Sequence, residues 1–581
     1  MGDQISGSKL VIEALKHEGV DTIFAYPGGA VIPIFDVLFD EPSINVILTR
    51  HEQGAVHAAD GYARSTGKPG VCVVTSGPGA TNTTTGLATA NFDSVPLVCI
   101  SGQVPRNMIG NDAFQEADTV GITRPVTKHN YLVTERGELG ELLKKSFFLA
   151  TSGRPGPVVI DIPKDILTAE GTADYPDSIT IRGYNPNTRG HSLQIRKAGE
   201  VLCGAKKPLF FIGGGMHIAD AASVFGQVQA KTGIPVVSSL MGLGILPSNH
   251  EDFLGMIGMH GTYAANTAIM NCDVLFAVGV RFDDRATGDL EKFAPGAQII
   301  HVDIEPAAIA RNVPVQVPIV GDARFVLETL FAHLTEVRID GWREQVKEWK
   351  TRYPVTLSTA GDRLDPREVI GLINELFPDA IVASEVGQNQ MWAALFYQFS
   401  QPRTWLTSGG LGTMGYGFPA ALGAQVGNPH RRVIDIAGDG SIQMNIQELA
   451  TAVIEELPVI IAVLNNGYLG MVRQWQELFF NRRYSSTCLV RHKTCPPDCT
   501  FPKDDCPRYT PDFVQLAKAY GAEGFRASTL EEAEAALRSA KEISDRPIMI
   551  DFLVEREANV WPMVPAGAGL SDMILEGGVK P

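Results

Sequence analysis

The chain of 581 residues is 44% hydrophobic and 20% charged, and it carries a formal net charge of −16. Its length suggests about three domains of ordinary globular composition. The acidic balance and the lack of a basic stripe argue against nucleic acid as a partner. No apolar run approaches the ~20 residues needed to span a bilayer, so we expect no membrane insertion.

The first block of the chain, residues 1–185, alternates strand-like and helix-like stretches. It opens with an amphipathic helix, MGDQISGSKLVIEALKHEG, that lacks the apolar core of a signal peptide, so we expect a cytoplasmic protein. Apolar runs such as DTIFAYPG, GVCVVTS and GPVVIDIP are separated by helical stretches such as HEQGAVHAADGYARSTG. This alternation predicts a parallel sheet wrapped by helices.

Two further blocks repeat this pattern after a linker rich in Pro, Asn and Asp. Residues 190–340 contain the runs KPLFFIGGG, IPVVSSL, DVLFAVGV and AQIIHVDI. Residues 363–555 contain AIVASEVG, RRVIDIAGDG, PVIIAVLNNG and RPIMIDFLVE, and a tail, 556–581, follows. The predicted fold class is α/β, with three domains that are each a mainly parallel sheet flanked by helices.

The sharpest chemical signal lies in the third block, where Gly438-Asp439-Gly440-Ser441 is followed by Asn465-Asn466-Gly467. Both stretches come directly after strand-like runs, and parallel sheets bind ligands at the carboxyl ends of their strands. Mg²⁺ prefers oxygen ligands and is usually bound by few carboxylates together with phosphate oxygens. Asp439 and Asn466 supply such oxygens, the flanking glycines Gly438 and Gly440 let the backbone approach phosphate, and Ser441 is a further candidate contact. The pattern predicts a magnesium-diphosphate site; two unrelated turns are the alternative.

This pair of motifs resembles that of the thiamine-diphosphate (ThDP) enzyme superfamily. The resemblance implies that Mg²⁺ is bound by Asp439, Asn466 and the backbone carbonyl of Tyr468. It also implies diphosphate contacts from Gly387, Gln388 and Asn389. Members of the superfamily more often have His in place of Asn389, and both side chains can donate a hydrogen bond to phosphate.

The superfamily also requires an activating glutamate in the first domain, and Glu52 in ILTRHEQGAVHAADGYAR matches it. A carboxyl group bonded to the aminopyrimidine ring favours the imino tautomer, which then acts as an internal base. A desolvated carboxyl group has a raised pKa and can share that proton near neutral pH. The alternative is a glutamate that only stabilises the N-terminus of its helix.

The stretch GGLGTMGYGFPAALGAQ resembles the segment that bends the cofactor in this superfamily. Met414 is expected to lie beneath the bend, and the Gly412 carbonyl is expected to bind the amino group of the pyrimidine. Packing of Met414 in an ordinary core is the alternative.

Further motifs are similar to those of acetohydroxyacid synthases, a family within this superfamily, and the resemblance covers nearly the whole chain. They are, in order, YPGGA, GPGATN, DAFQEAD, ATSGRPGPVVIDIPKD, GMHG, GVRFDDRATG and GMVRQWQELFF. The resemblance implies decarboxylation of pyruvate and transfer of its hydroxyethyl group to pyruvate or 2-ketobutyrate. The products are 2-acetolactate or 2-aceto-2-hydroxybutyrate, on the path to branched-chain amino acids.

The same resemblance implies several substrate contacts. Gly29 is expected near the reacting carbon, within the loop 28–30. Phe114 and Gln115 are expected to line the site, and Lys164 to attract the keto-acid carboxylate at its mouth. The pocket of the second substrate is assigned to Met471, Val472 and Trp475, and Trp475 accompanies a preference for 2-ketobutyrate. The alternative for Trp475 is an anchor of the third domain, because a large aromatic ring buries well anywhere.

A flavin site is expected in the second block. The triple glycine Gly213, Gly214 and Gly215 is by itself a weak dinucleotide signal. The RFDDR stretch matches the FAD-binding members of the family, with Arg281 and Arg285 placed to neutralise phosphate or orient substrate. Ribose or adenine contacts are implied for Asp303, Glu305 and Asp322. The FAD is expected to be structural, because the overall reaction moves no net electrons.

Four cysteines, Cys488, Cys495, Cys499 and Cys506, lie in an insertion that the family usually lacks. Three interpretations remain open: a structural Zn²⁺ bound by the four thiolates, disulfides, which a cytoplasmic location disfavours, and four reduced thiols in a loop.

The resemblance also implies an assembly and leaves one rival activity. A site between two subunits implies a homodimer or tetramer, to which a separate small regulatory subunit is commonly added in the family. The tail, 556–581, is expected to act as a closing lid. The rival is another ThDP/FAD enzyme, such as a pyruvate oxidase.

Overall fold

The structure is a computed structural model that describes residues 4–355, 363–496, 499, 506 and 511–580. Three six-stranded sheets follow one another along the chain, and every strand pair within them is parallel. This confirms the predicted α/β class with three sheet-and-helix domains. Among the described helices, none combines the length and the apolar character that crossing a bilayer requires.

The first domain has the strand order β3-β2-β4-β5-β7-β6, and a short antiparallel pair of β1 and β8 lies beside it. Its interior strands β4, β5 and β7 are fully buried, which explains the continuous apolar runs in the sequence. The elements are β1 Gln4–Ser6, α1 Gly7–His17, β2 Thr22–Tyr26, α2 Ile32–Phe39, β3 Asn45–Leu48, α3 Glu52–Thr66, β4 Gly70–Val74, α4 Pro78–Thr81, α5 Thr84–Asp93, β5 Leu97–Gln103, α6 Thr119–Thr123, β6 His129–Leu132, α7 Leu139–Thr151, β7 Pro157–Pro163, α8 Lys164–Thr168 and β8 Glu170–Thr172.

The central domain has the strand order β11-β10-β9-β12-β13-β14, in which the winding direction reverses between β9 and β12. Open sheets of this order bind dinucleotides at that reversal. The elements are α9 Ser192–Gly204, β9 Pro208–Ile212, α10 Gly215–Ile218, α11 Ala222–Thr232, β10 Val236–Ser238, β11 Phe253–Met256, α12 Tyr263–Asn271, β12 Val274–Val278, α13 Asp284–Thr287, β13 Gln298–Asp303, β14 Val317–Val320, α14 Ala323–Phe331 and α15 Asp340–Arg352.

The third domain has the strand order β16-β15-β17-β18-β20-β19, which is the arrangement of the first domain repeated. The elements are α16 Pro366–Leu376, β15 Ile381–Ser384, α17 Gln388–Phe396, β16 Trp405–Thr407, α18 Gly417–Gly427, β17 Val433–Gly438, α19 Leu449–Ile454, β18 Ile460–Asn465, α20 Gly470–Phe479, α21 Phe513–Tyr520, β19 Glu523–Ala527, α22 Leu530–Glu542 and β20 Ile548–Leu553.

Equivalent helices of the first and third domains, α3 and α18, pack directly against each other. A Cβ on Gly61 of α3 would overlap the backbone of Ala420, and a Cβ on Gly423 of α18 would overlap the backbone of Ala58. Both glycines are required by this close approach of two backbones. The contact joins the two sheets within one chain.

Candidate active site

The two turns predicted to bind metal lie at the carboxyl ends of the neighbouring strands β17 and β18, as the sequence indicates. The carboxylate of Asp439 accepts hydrogen bonds from the backbone N–H groups of Gly440 at 3.0 Å and Gly467 at 2.8 Å. The Asn466 amide oxygen accepts from the Tyr468 N–H at 2.9 Å. Burial raises the pKa of Asp439 to about 7, although both glycine N–H groups oppose this. A bound cation at this position would stabilise the charged carboxylate.

The predicted diphosphate segment begins α17 beside the metal turns. Gln388 accepts from the Asn466 side chain at 3.4 Å, so it lies against the second turn. The Asn389 side-chain amide donates to the carbonyls of Glu385 at 2.9 Å and Ile436 at 2.8 Å. These bonds engage both N–H groups of the Asn389 side chain within the protein, and the N-terminus of α17 is a position at which backbone N–H groups favour an anion.

Two more residues of the third domain adjoin this edge. The Ser441 hydroxyl accepts from the Gly438 N–H at 3.1 Å and closes the first turn. A Cβ on Gly440 would lie 3.9 Å from the Met414 methyl group, so the loop that contains Met414 reaches the metal turns. Gly412 in that loop has a φ of +75°, a conformation that favours glycine.

Glu52 is the first residue of α3, at the carboxyl edge of the first sheet. Its side chain is 7% exposed and accepts a hydrogen bond from the Asn82 amide at 2.9 Å. Asn82, in the GPGATN motif, was not singled out in the sequence analysis, although that motif contains it. The neighbouring backbone, at the Arg50 N–H, donates to Glu448 of the third domain at 3.0 Å.

The other predicted substrate residues of the first domain surround the same edge. The loop 28–30 follows β2, and Ala30 donates to the Thr75 hydroxyl at 3.3 Å. Gln115 has a φ of +61°, and its backbone lies against Gly77 at the end of the neighbouring strand β4. Phe114 is 88% exposed, and the half-buried Lys164 begins α8.

The structure therefore gathers the predicted residues into two groups at separate sheet edges. Glu52, Gly29, Phe114, Gln115 and Lys164 belong to the first domain. Asp439, Asn466 and Tyr468 belong to the third domain and contact the glycine turns there. The contact between α3 and α18, and the hydrogen bond from the Arg50 N–H to Glu448, join these two domains within the chain.

The triple glycine of the central domain lies at the reversal of the sheet. The Gly213 N–H donates to the Val278 carbonyl at 3.1 Å, and the Gly215 N–H donates to the Gly279 carbonyl at 3.1 Å. A Cβ on Gly215 would lie 2.7 Å from the Gly279 Cα. The turns after β9 and β12 therefore touch, and the small residues leave a bare backbone surface for a ligand.

A cavity of about 1000 Å³ extends from this surface to the third domain. It brings together the residues predicted for the flavin, for the bend of ThDP and for the second substrate. Arg285 lies over the Trp475 ring, 5.7 Å from its centroid, and so connects the central and third domains. The predicted residues in its wall are Gly214, Gly215, Arg281, Arg285, Asp303, Asp322, Gly387, Gly412, Met414, Met471, Val472 and Trp475.

The acidic residues of the central domain differ in their surroundings. Burial raises the pKa of Asp303 to about 6. Asp322 caps α14 by accepting from the Arg324 and Phe325 N–H groups, and the Glu305 carboxylate accepts from the Ala307 N–H. Both of these side chains are thus partly engaged by the backbone.

Arg154 lines the same cavity and was missed in the sequence analysis. Burial lowers the pKa of Arg154, and Arg281 lowers it further, while the acids Asp303 and Glu305 raise it. It is a half-buried cation in the wall of the same cavity as Arg281. Its position in ATSGRPGPVVIDIPKD, between a helix and a central strand, is the signal that could have identified it.

The insertion with four cysteines begins against the metal turns. Cys488 forms an antiparallel bridge with Tyr468, and the Leu489 N–H donates to the Gly467 carbonyl at 2.8 Å. Burial raises the pKa of Cys488, while the Val490 N–H and the charge of Arg556 lower it. Within the described residues, no group of three or more His, Cys, Asp or Glu side chains is arranged to bind a metal. The zinc site therefore stays a prediction.

Three domain families match the chain in the order of the three sheets. Residues 5–122 match the N-terminal TPP binding domain of thiamine pyrophosphate enzymes. Residues 195–330 match the central domain of these enzymes, and residues 385–552 match their C-terminal TPP binding domain.

Curated relatives match over the whole chain. The acetolactate synthase large subunit of Haemophilus influenzae is 46% identical, with 98% of each chain covered. The large subunit of acetolactate synthase isozyme 3 of Escherichia coli is 47% identical, with 99% of each chain covered. The acetolactate synthase large subunit of Corynebacterium glutamicum is 48% identical over 100% of this chain and 91% of its own.

Proposed function

The chain belongs to the acetolactate synthase large-subunit family of thiamine-diphosphate enzymes, and we propose that the two groups of residues described above divide its chemistry between them. The family activity joins two 2-keto acids with loss of CO2. The assignment of this activity rests on the similarity to acetolactate synthase large subunits over the full length of the chain, together with the three ThDP-enzyme domains. Bound ThDP supplies the nucleophilic carbon and the electron sink for decarboxylation.

The third domain holds the diphosphate through Mg²⁺. Its ligands are Asp439, Asn466 and the Tyr468 carbonyl, an all-oxygen set that suits this ion. The contact between Asp439 and Gly467 supports this assignment, because it brings the two turns together. Backbone N–H groups at Gly387, Gln388 and Asn389, and the turn at Gly440 and Ser441, face the phosphate oxygens.

Glu52 of the first domain holds a proton for the aminopyrimidine ring. Its low exposure and its bond from Asn82 support this role, because both fix the carboxyl group at the sheet edge. The Gly412 carbonyl accepts from the ring's amino group, and Met414 fills the space beneath the bend of the cofactor.

The substrates are small 2-keto acids. Gln115 hydrogen-bonds a substrate oxygen, Lys164 attracts the carboxylate, Gly29 lies near the reacting carbon, and Phe114 lines the site. The pocket of the second substrate lies between Met471, Val472 and Trp475, and its position in the cavity wall supports this. Exclusion of water is necessary, because a stray proton would divert the product to acetaldehyde.

FAD binds in the central domain at the reversal of the sheet. The residues present fit a dinucleotide, since the bare glycine backbone lies beside the cavity and cations line its wall. Gly213, Gly214 and Gly215 contact it, and Arg281, Arg285 and Arg154 neutralise its phosphates. Asp303, Glu305 and Asp322 bind its ribose and adenine.

The complete site requires a second copy of the chain. This rests on the likeness to the family, in which Glu52 of one copy would meet a cofactor whose diphosphate is bound in the third domain of the other copy. A homodimer is the minimal unit, and a tetramer is compatible with it. The relatives are named large subunits, and we extend to this chain the association with a separate small regulatory subunit that this name indicates.

The remaining assignments concern the chain's organisation and the cysteines. We place the domain boundaries at 1–185, 190–340 and 363–555. The tail, 556–581, acts as a lid. This is supported by the Val564 N–H, which donates to the Met259 carbonyl beside the cavity. A Zn²⁺ bound by the four cysteines is tested by metal analysis of the purified protein and of Cys495→Ser. Equal metal content in both would contradict it.

The deciding experiment follows product formation from pyruvate with ThDP, Mg²⁺ and FAD, in the wild-type protein and in Glu52→Gln. We expect 2-acetolactate without oxygen uptake, and a rate in the variant that is lower by ~100-fold or more, because the variant cannot share a proton with the ring. Oxygen uptake with acetate or acetyl phosphate as the product would indicate a flavin oxidase instead.

A further inference from the structure

Asp93, the last residue of α5, is a buried carboxylate in the wall of the cavity, and none of the roles assigned above belongs to it. Its side chain is 1% exposed and accepts a hydrogen bond from the Arg64 guanidinium at 3.0 Å. It also accepts from the backbone N–H groups of Gly409 at 3.0 Å and Gly410 at 2.8 Å. Arg281 of the central domain lies 3.9 Å away. One carboxylate thus contacts residues from all three domains.

The contact with the third domain requires glycine in the loop. A Cβ on Gly410 would lie 2.8 Å from Asp93 Oδ1 and 3.1 Å from the Arg281 guanidinium. A Cβ on Gly409 would overlap the Met241 sulfur. The backbone therefore reaches the carboxylate only because no side chain intervenes. The loop then continues to Gly412 and Met414, which is the segment assigned to the bend of ThDP.

The contact with the central domain concerns a cation of the flavin site. Arg281 donates to the Phe92 carbonyl, next to Asp93 in the chain. Its side chain is 34% exposed and faces the cavity with its free side. Asp93 and the Phe92 carbonyl thus determine where this guanidinium lies.

The contact within the first domain supplies the counter-charge. Arg64, whose side chain is 11% exposed, pairs with Asp60 at 2.6 Å as well as with Asp93. It also donates to the Thr407 carbonyl at 3.0 Å, just before the loop. Arg64 therefore supplies Asp93 with an opposite charge and holds it in place, and Arg64 is not among the residues that line the cavity.

We propose that Asp93 is a positioning residue that couples the ThDP-bending loop to the flavin-side Arg281, so that each cofactor strengthens the binding of the other. This inference rests on the proposed function of both sites. Its physical basis is that a buried charge with four fixed partners tolerates little displacement, because an unpaired buried donor is costly. When FAD orders Arg281, the carboxylate and the loop are ordered with it, and the reverse holds for ThDP.

The test compares Asp93→Asn with Asp60→Asn in the full-length protein. Asparagine at 93 turns an amide group towards N–H donors, so at least one bond to the loop or to Arg64 is lost. Asp60→Asn is the control for the charge of Arg64, because it removes a negative charge from the same Arg64 while Asp60 contacts neither glycine nor Arg281. Asp60 also accepts from the Tyr416 hydroxyl at 2.6 Å, so Tyr416→Phe, which removes that bond alone, is measured beside it. The readouts are FAD affinity from quenching of flavin fluorescence, ThDP affinity by calorimetry with Mg²⁺, and thermal stability.

We expect Asp93→Asn to weaken both cofactors by ~10-fold or more, the equivalent of one hydrogen bond to a charged group. Saturating FAD should strengthen ThDP binding in the wild type and not in the variant. Asp60→Asn should lower thermal stability and change both affinities by less than about twofold. If Asp93→Asn does not fold, Gly410→Ala, which breaks the same contact from the loop side, is expected to give the same two losses.

Loss of thermal stability alone in Asp93→Asn, with both affinities unchanged, would overturn the inference and leave Asp93 a purely structural residue. Wild-type protein that binds no FAD would refute the flavin assignment instead. In that case, the ThDP affinities of Asp93→Asn and Gly410→Ala still decide whether Asp93 anchors the loop.

Discussion

The first and third domains share one strand order but differ at equivalent joints between strand and helix. After the first strand of each sheet, the first domain has the loop 28–30 and the third has Gly387 at the start of α17. After the second strand, the first domain has Glu52 directly at the start of α3. The third domain has at that joint the longer loop that contains Met414. The scaffold is repeated, and the chemistry is not.

This difference shows that the two sheets are complementary halves rather than two copies of one site. The first domain offers a carboxyl group and few cations, so it suits a neutral ring that exchanges a proton. The third offers oxygen ligands and a helix N-terminus, so it suits a metal and phosphates. A repeated fold therefore supports different functions through its strand ends alone.

The largest expected effect is on ThDP affinity, which should depend on Asp439 of the third domain and not on Glu52 of the first. Asp439→Asn should weaken ThDP binding in the presence of Mg²⁺ by at least ~10-fold, the equivalent of ~1.4 kcal/mol, because a charged metal ligand is lost. Glu52→Gln should bind ThDP nearly as well as the wild type, since the diphosphate is held by the other domain. Calorimetric titration of both variants checks this.

Equal loss of ThDP affinity in Asp439→Asn and Glu52→Gln would contradict the division of roles between the two domains. Asn445→Ala provides a control for disturbance near the metal turns, because Asn445 lies in the same loop region and donates to the Gly415 carbonyl rather than facing the metal. Its affinity should fall less than that of Asp439→Asn.

A smaller effect concerns Trp475 of the third domain, which lies in the wall of the cavity. Trp475→Leu should reduce the preference for 2-ketobutyrate over pyruvate as acceptor by ~10-fold, within the range that one methylene group contributes in an apolar pocket. Competition between the two acceptors, with both products quantified, measures this ratio. An unchanged ratio with a lowered thermal stability would indicate instead that the ring anchors the third domain.

The smallest expected effect tests the contact between the two domains. Burial raises the pKa of Glu448 to about 7, and the Thr451 hydroxyl and the N–H and charge of Arg50 oppose this only in part. The folded protein therefore binds this proton more tightly than the unfolded chain, so its contribution to stability is full below about pH 4.5 and is lost as pH rises through about 7. The melting temperature, measured by thermal unfolding, should fall between pH 5 and pH 7 in the wild type. In Glu448→Gln this fall should be smaller by a few degrees. A parallel decline in both proteins would refute this role of Glu448.

The local sequence determined the strands, the helices and the chemistry at the strand ends. Buried parallel strands require continuous apolar runs, and a turn that approaches phosphate requires glycine with a nearby oxygen ligand, so Gly438–Ser441 and the loop at Asn466 could be assigned without coordinates. The resemblance to a known family then gave roles to Glu52 and Trp475.

Only the tertiary structure decided which distant groups meet. Asp93 and Gly409 are 316 positions apart, and Arg50 and Glu448 are 398 positions apart, so no local pattern indicates either contact. The same holds for Arg154 in the cavity wall and for the engaged side chain of Asn389. Such contacts depend on how whole sheets and helices pack, because a buried charge or amide takes whichever partners the fold brings to it.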